Sequence, residues 1–371
     1  MNVPLLDLVA QHRAIETAVT AAVQDVIAKQ QFIMGPAVAQ LETEVAARSG
    51  ARHGIGCASG TDALLLPLRT LELRPDDEIV TTPFTFFATA GAIHNAGGRP
   101  VFVDIERDTF NLAPAAVEAA CTPRTRAIIA VHLYGQLAAM ERLLPLAEGR
   151  GVPLIEDACQ AIGARRRVNG HWRRAGELGW VSAFSFFPSK NLGGWGDGGM
   201  MVTSDDRVAE RLRRLRLHGG AKQYHHDEVG TNSRLDTLQA AVLLAKLSHL
   251  DEWSARRREH AAYYTAAFAD LDGVRPPAVD PANEHIFHQY TLRVARRDAL
   301  LAHLKAKGVG HAVYYPVPLH RQRCFAHLGY RDGSLPESER AAAEVVSLPV
   351  YPELARSQLD YVIDAVRGFY R

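Results

Sequence analysis

The sequence predicts an α/β fold, with a large sheet-and-helix lobe followed by a small C-terminal α+β lobe. Three observations carry this reading. Seven short apolar runs, at 53–57, 78–82, 100–104, 126–132, 153–157, 181–186 and 199–203, alternate with helical stretches. That alternation marks a sheet flanked by helices. Polar and glycine-rich motifs follow several runs, which is where open α/β sheets place their sites. At 371 residues the chain is longer than one core usually organises, so two lobes are expected, at 1–245 and 246–371.

Composition narrows the function classes. Hydrophobic residues make up 47%, as in a well-buried globular protein. Lys+Arg number 42 against Asp+Glu 41, a formal net charge of +1, so no nucleic-acid surface is expected. Cys57, Cys121, Cys159 and Cys324 are scattered, without metal-ligand or disulfide spacing, and read as reduced thiols. No basic-then-apolar leader opens the chain and no apolar run reaches membrane-spanning length. A cytoplasmic protein with no membrane partner is the expectation.

Taken in order, residues 10–30 show helical spacing, 31–35 break it, and 36–49 resume it. Residues 61–71 read as a helix that Pro67 should kink, because proline removes a hydrogen bond and clashes with the preceding turn. The arginines between 207 and 216 read as a solvated helix face. His225 and His226 are adjacent and lack a matching Cys/His cluster, so no metal is expected. Residues 235–269 read as one long helical region bridging the lobes. The small lobe should contain strands at 289–294 and 310–315 and helices at 297–307, 338–346 and 357–369.

Three motifs carry chemistry. Residues 184–200 run Phe-Ser-Phe-Phe-Pro-Ser-Lys-Asn-Leu-Gly-Gly-Trp-Gly-Asp-Gly-Gly-Met. Lys190 is the only lysine between Lys29 and Lys222, in an apolar loop with five glycines following. Such a lysine is either an ordinary loop residue or a desolvated, nucleophilic amine. Upstream, Asp157 ends an apolar run. It is either a strand-end turn residue or the carboxylate that a pyridoxal phosphate ring needs at its nitrogen, opposite the lysine. Cys57-Ala-Ser-Gly-Thr-Asp-Ala-Leu64 follows another run and opens a helix. Ser59 or Thr61 could simply cap it. With Asp157, Ser185 and Lys190 in the same chain, a phosphate on the helix N-terminus is the better reading.

These stretches resemble the DegT/DnrJ/EryC1/StrS sugar aminotransferases. The resemblance rests on residues 59–63 (Ser-Gly-Thr-Asp-Ala), 83–89 (Pro-Phe-Thr-Phe-Phe-Ala-Thr), 156–160 (Glu-Asp-Ala-Cys-Gln), 184–193, 230–241 and 314–320 (Tyr-Tyr-Pro-Val-Pro-Leu-His). It implies a fold-type I, pyridoxal 5'-phosphate-dependent enzyme with a seven-stranded, mostly parallel sheet. It also implies roles. Lys190 bonds the cofactor aldehyde and shuttles the proton. Asp157 holds the pyridine nitrogen, and Gln160 reaches the phenolic oxygen. Ser185 and the backbone of Gly60 and Thr61 bind phosphate. Phe86 stacks on the ring, although plain core packing would also suit it. Asn232 reaches the phosphate of the partner subunit's site, which implies a homodimer with shared sites. Arg234 and His320 are candidate substrate contacts, and a structural histidine fits position 320 as well.

The implied reaction is amination of a nucleotide-linked keto sugar with glutamate as donor. Residues 224–236 look most like members that aminate C3 of a UDP-linked 3-keto sugar. C4 amination of a dTDP- or UDP-linked 4-keto-6-deoxy sugar is the rival. The family's dehydratases carry histidine where this chain has Lys190, which argues against them. A non-catalytic regulator could dispense with Asp157 and Lys190, and both are present. A dinucleotide-binding dehydrogenase would need Gly-x-Gly-x-x-Gly opening a helix, which residues 193–199 do not provide.

Overall fold

The computed structural model describes residues 1–220, 222 and 224–370. Two helices precede the sheet. Helix α1 (Leu8–Lys29) is capped by Asp7, whose carboxylate accepts from the Ala10 N–H at 2.9 Å. Helix α2 (Pro36–Arg48) opens on a proline, whose missing N–H falls among the unpaired donors of a first turn. The chain then alternates through β1 (His53–Cys57), α3 (Gly60–Arg69), β2 (Glu78–Thr81), α4 (Ala88–Asn95), β3 (Arg99–Phe102), α5 (Pro114–Ala120), β4 (Thr125–Val131), α6 (Met140–Gly149) and β5 (Leu154–Asp157). A hairpin of β6 (Arg165–Val168) and β7 (His171–Arg174) intervenes before β8 (Val181–Ser185) and β9 (Gly199–Thr203).

The seven-stranded sheet has the order β1-β9-β8-β5-β4-β2-β3. Only β9 runs antiparallel to its neighbours, β1 and β8. Adjacent residues of one strand enter different apolar clusters: Ile128 and Leu154 pack on one face, Ile129 and Ile155 on the other. A sheet covered on both faces needs apolar residues at nearly every strand position, which is why short unbroken apolar runs mark it. The same alternation sends the side chains of Glu156 and Asp157 to opposite faces.

After β9 come α7 (Asp206–Leu215), α8 (Thr237–Leu247) and α9 (Leu250–Phe268). Then follow β10 (Val274–Arg275), β11 (Asn283–Glu284), β12 (Tyr290–Val294), α10 (Arg297–Ala306), α11 (Pro336–Glu344), β13 (Val345–Leu348) and α12 (Arg356–Tyr370). Strands β10, β12 and β13 form a three-stranded sheet. Its apolar cluster gathers Tyr264, Phe268, Tyr290, Leu292, Leu300, Val346 and Val362. Residue 245, where the sequence reading divides the chain, lies inside α8.

Several expectations need correction. Residues 235–269 form two helices rather than one. The Ser248 hydroxyl donates to the Ala245 carbonyl at 3.1 Å, and this local bond competes with the helical ladder at the break. Residues 310–315 are not a strand; Ala312 makes only an isolated bridge to Ser347. The third strand is β13, part of which was expected in a helix. Helix α11 stops at Glu344, and Val345 and Val346, stiff at χ1, pack better in a sheet. The β6–β7 hairpin was not anticipated, although Asn169-Gly170 signals it. Both residues have positive φ, 51° and 83°, as a two-residue hairpin turn requires. Helix α3 continues through Pro67 to Arg69, which leaves the proline in the last turn.

Candidate active site

The ends of β5 and β8, the start of α3 and the loop before α4 meet around a cavity of about 650 Å³. Asp157 lies at the end of β5, where the strand leaves the sheet. Its Oδ2 accepts from the Thr89 hydroxyl at 2.7 Å, and its Oδ1 from the Cys159 N–H at 3.3 Å. Thr89 also meets the Thr85 hydroxyl at 3.1 Å. Both threonines are buried, so the carboxylate is held in one orientation by a rigid pair.

Lys190 lines the same cavity from the loop after β8. Its backbone N–H donates to the Phe187 carbonyl at 2.9 Å, closing a tight turn. Gly193 is indispensable to that turn, since a Cβ there would sit 2.3 Å from the Pro188 carbonyl oxygen. Burial lowers the Lys190 amine below its ordinary pKa, with Cys159 and Asp157 opposing the shift. The surface that Lys190 still exposes belongs to the cavity wall.

The third side is the N-terminus of α3. Ser59 caps the helix: its hydroxyl accepts from the Asp62 N–H at 3.1 Å and its carbonyl from the Ala63 N–H at 3.0 Å. The N–H groups of Gly60 and Thr61 have no partner within the helix. Gly60 approaches Ser185 so closely that a Cβ on it would lie 2.6 Å from the serine Cβ. The result is a small cup of N–H groups and a hydroxyl at the positive end of a helix dipole, suited to a phosphate.

Beneath this site lies a polar network that sequence reasoning did not reach. Glu156 and His132 are both fully buried. The His132 ring accepts the Ala138 N–H at Nδ1 (3.2 Å), so its Nε2 carries the proton toward Glu156 Oε2 at 2.8 Å. Glu156 also accepts from the N–H groups of Gly176, Leu178 and Gly179 and from the Ser182 hydroxyl. Burial alone would raise this carboxyl, but the bonds from His132, Gly176 and Gly179 outweigh it and hold the pKa below the ordinary value. His288 was also missed. It lines the cavity, and its Nδ1 lies 3.1 Å from the Asn191 Oδ1. Asn191 gives its amide N–H to the Ile286 carbonyl at 3.2 Å, so His288 Nδ1 is the donor and Nε2 the acceptor, 3.5 Å from the Gln289 amide nitrogen. Burial, with Lys190 and Arg257 adding to it, keeps the His288 pKa well below normal.

Comparison with known proteins identifies the arrangement. Residues 13–367 match the DegT/DnrJ/EryC1/StrS aminotransferase family. The chain belongs to that family. Among its relatives, a pleiotropic regulatory protein of Geobacillus stearothermophilus is 50% identical, with 100% of this chain and 99% of that protein covered. A UDP-N-acetyl-3-dehydro-alpha-D-glucosamine 3-aminotransferase of Acidithiobacillus ferrooxidans is 44% identical over 98% of this chain and 97% of its own. The crystal structure of S. venezuelae DesV in complex with a ketimine intermediate superposes with a TM-score of 0.96. It is 44% identical, with 100% of this chain and 99% of that chain covered.

Pyridoxal phosphate is the cofactor of this aminotransferase. The residues present fit it at each end: an amine, a carboxylate across the cavity, and the Gly60–Ser185 cup that a single Cβ would fill. Phe86 is 58% exposed and forms part of the cavity wall, 6.4 Å from the Tyr315 ring. Gln160 also lines the cavity; its Oε1 accepts from the Tyr134 N–H at 2.8 Å and its Nε2 donates to the Tyr315 hydroxyl at 2.9 Å. That leaves one amide hydrogen for a ligand. Three of the anticipated residues lie elsewhere. Asn232 is exposed and outside its own chain's cavity, on a segment that Ser233 anchors to Asp62 at 2.6 Å. Arg234 lines a separate surface hollow with His218 and His226. His320, expected as a substrate contact or a structural histidine, lies outside the cavity lining in this chain. It is 2% exposed and lies 3.1 Å from Glu339.

Proposed function

We propose that the aminotransferase moves an amino group from glutamate to a nucleotide-linked keto sugar, at C3 of a UDP-linked 3-keto sugar. One observation carries the aminotransfer: Lys190, Asp157 and the α3 N-terminus converge on one cavity. The relative named as a UDP-sugar 3-aminotransferase supports the position. A purely regulatory role, suggested by the name of the Geobacillus relative, gives no reason to keep that convergence.

When bound, the cofactor supplies an electron sink for the pair released at the reacting carbon. Lys190 would hold the cofactor at its aldehyde end, and its amine would carry the proton at the donor's reacting carbon. Asp157, fixed by Thr89, accepts the pyridine N–H bond and keeps that nitrogen protonated. Gly60 and Thr61 N–H groups and the Ser185 hydroxyl hold the phosphate, and Gln160 donates to the phenolic oxygen. Phe86 covers a ring face, a contact worth about 0.5–1.5 kcal/mol beyond burial. Residues 1–245 would form the cofactor lobe and 246–371 the smaller one. No helix among the described residues is long and apolar enough to cross a membrane. The unpaired cysteines suit the reducing cytoplasm.

A panel of nucleotide-linked amino sugars, run in reverse with 2-oxoglutarate, tests the substrate. The UDP-linked 3-amino sugar should convert the cofactor spectrum and allow 2-oxoglutarate to restore it. Preferential turnover of 4-amino-4,6-dideoxy sugars would overturn the C3 assignment.

The proposal includes a homodimer with shared sites. Asn232 is exposed four residues before Asp236, which bridges to Ile33 in an exposed apolar segment, Phe32, Ile33 and Met34. In an isologous dimer a residue lent to one site is returned in the other. Mixing inactive Lys190→Ala and Asn232→Ala dimers should therefore restore roughly a quarter of wild-type activity, because one site per heterodimer is intact. No recovery after demonstrated subunit exchange would rule out sharing.

A further inference from the structure

The loop that carries Lys190 is fixed differently on its two sides. On the N-terminal side the backbone closes on itself, through the bond from the Lys190 N–H to the Phe187 carbonyl. On the C-terminal side the next residue is clamped by a distant segment, 286–289, which leads into β12. Asn191 is buried, and both ends of its amide are taken. Its Nδ2 donates to the Ile286 carbonyl at 3.2 Å, and its Oδ1 accepts from His288 Nδ1 at 3.1 Å. The two bonds together hold the amide in one orientation.

The clamping segment is itself held from behind. The Ile286 N–H donates to the Gly135 carbonyl at 3.1 Å. Arg257 of α9 donates to the Phe287 carbonyl at 3.1 Å and to the His288 carbonyl at 3.5 Å. Phe287 sits at φ 46°, in the left-handed region. A bulky residue there is strained, and such strain persists only where the surroundings impose it. The bonds from Arg257 to the two carbonyls, and that from the Phe287 N–H to His285 Nδ1 at 2.9 Å, impose it here. What the strained turn presents at the cavity wall is His288. Burial, with the charges of Lys190 and Arg257 adding to it, keeps that ring neutral. A neutral ring has a single N–H, and Asn191 takes it at Nδ1.

We infer that His288 is a positioning residue for Lys190: its Nδ1–H fixes Asn191, and Asn191 fixes the backbone from which the lysine side chain projects. The inference rests on the reading of Lys190 as the reacting amine. Support of this kind matters to the rate, since misplacing a reacting group by about 1 Å costs on the order of 100-fold.

The test compares substitutions of holoenzyme that differ in where they put a donor. In His288→Asn the amide nitrogen falls near the place of Nδ1. In His288→Gln it reaches toward the place of Nε2, although glutamine is closer to histidine in volume. The kcat of His288→Asn should fall by no more than about three-fold, and those of His288→Gln and His288→Leu by about ten-fold, the upper range for one lost hydrogen bond. A packing role would favour glutamine over asparagine; that order, or equal rates in all three, would overturn the inference. The double variant His288→Leu, Asn191→Leu should be no slower than Asn191→Leu alone, because both changes break the same bond. Losses that multiply would show independent roles and overturn it. NMR of histidine-labelled holoenzyme gives a readout apart from turnover. The resonance missing from His288→Asn should belong to a neutral ring protonated on Nδ1 at about pH 6, below the ordinary histidine pKa of about 6.5. A ring protonated on Nε2 alone, or on both nitrogens, would contradict the assignment. Borohydride labelling of each variant separates the inference from the reading beneath it. Label on Lys190 with the wrong order of rates faults His288 alone; label on another lysine faults Lys190 itself.

Discussion

Lys190→Ala should lower transamination by about 10⁴-fold, the upper range for loss of a positioned proton-transfer group. The loss follows from the place of the amine rather than from any effect on folding. Lys190 lies in a loop closed by its own backbone and by Gly193, and among the described residues its side chain makes no hydrogen bond that holds another element. Truncation therefore leaves the cup at Gly60 and the Asp157–Thr89 pair in place. Burial lowers the lysine pKa, so its neutral amine persists to lower pH than that of a surface lysine. Lys190→Arg keeps a cation but cannot deliver that amine, because arginine does not deprotonate, and should be as inactive as alanine. Steady-state rates of both variants, with circular dichroism to confirm the fold, check this. Activity within ten-fold of wild type in either would remove Lys190 from the chemistry.

The largest stability effect should come from Glu156→Gln, at about 2–6 kcal/mol, because the amide NH₂ would face two buried donors and each one left unpaired costs about 1–3 kcal/mol. The wild-type carboxylate accepts from His132, three backbone N–H groups and Ser182. A glutamine would turn an NH₂ toward donors and leave buried N–H groups unpaired. The pH dependence has a definite sign. The folded-state pKa of Glu156 lies below its unfolded value. Its contribution is complete above about pH 4.3, the unfolded reference, and is lost as pH falls through the folded pKa. Urea melts at pH 7 and at progressively lower pH should show the wild-type advantage over Glu156→Gln shrinking with acid. An advantage that grows with acid would contradict the buried-anion account.

What the sequence made legible was what it wrote locally. Lys190 with its glycines, Ser59-Gly60-Thr61 and Asp157 each sit inside one short motif, at a strand end where sites gather. The seven runs survive as strands because a doubly covered sheet demands continuous apolar sequence. What was missed depends on distant partners. Thr89 stood in a recognised stretch, yet its bond to Asp157 joins residues 68 apart. The bond between His288 and Asn191 spans 97. Val345 and Val346 lie in an alanine- and glutamate-rich stretch of helical character, and only the pairing of β13 with β12 turns them into strand. His320 closed a family-like motif, but its Glu339 partner arrives from α11.

The most direct measurement of the central claim is the covalent one. Holoenzyme reduced with borohydride, digested and mapped by mass spectrometry should carry the phosphopyridoxyl group on Lys190. The label should be absent from Lys190→Ala. Modification of Lys222, Lys246 or any other lysine instead, or a wild-type chain that carries no label after reduction, would contradict the account.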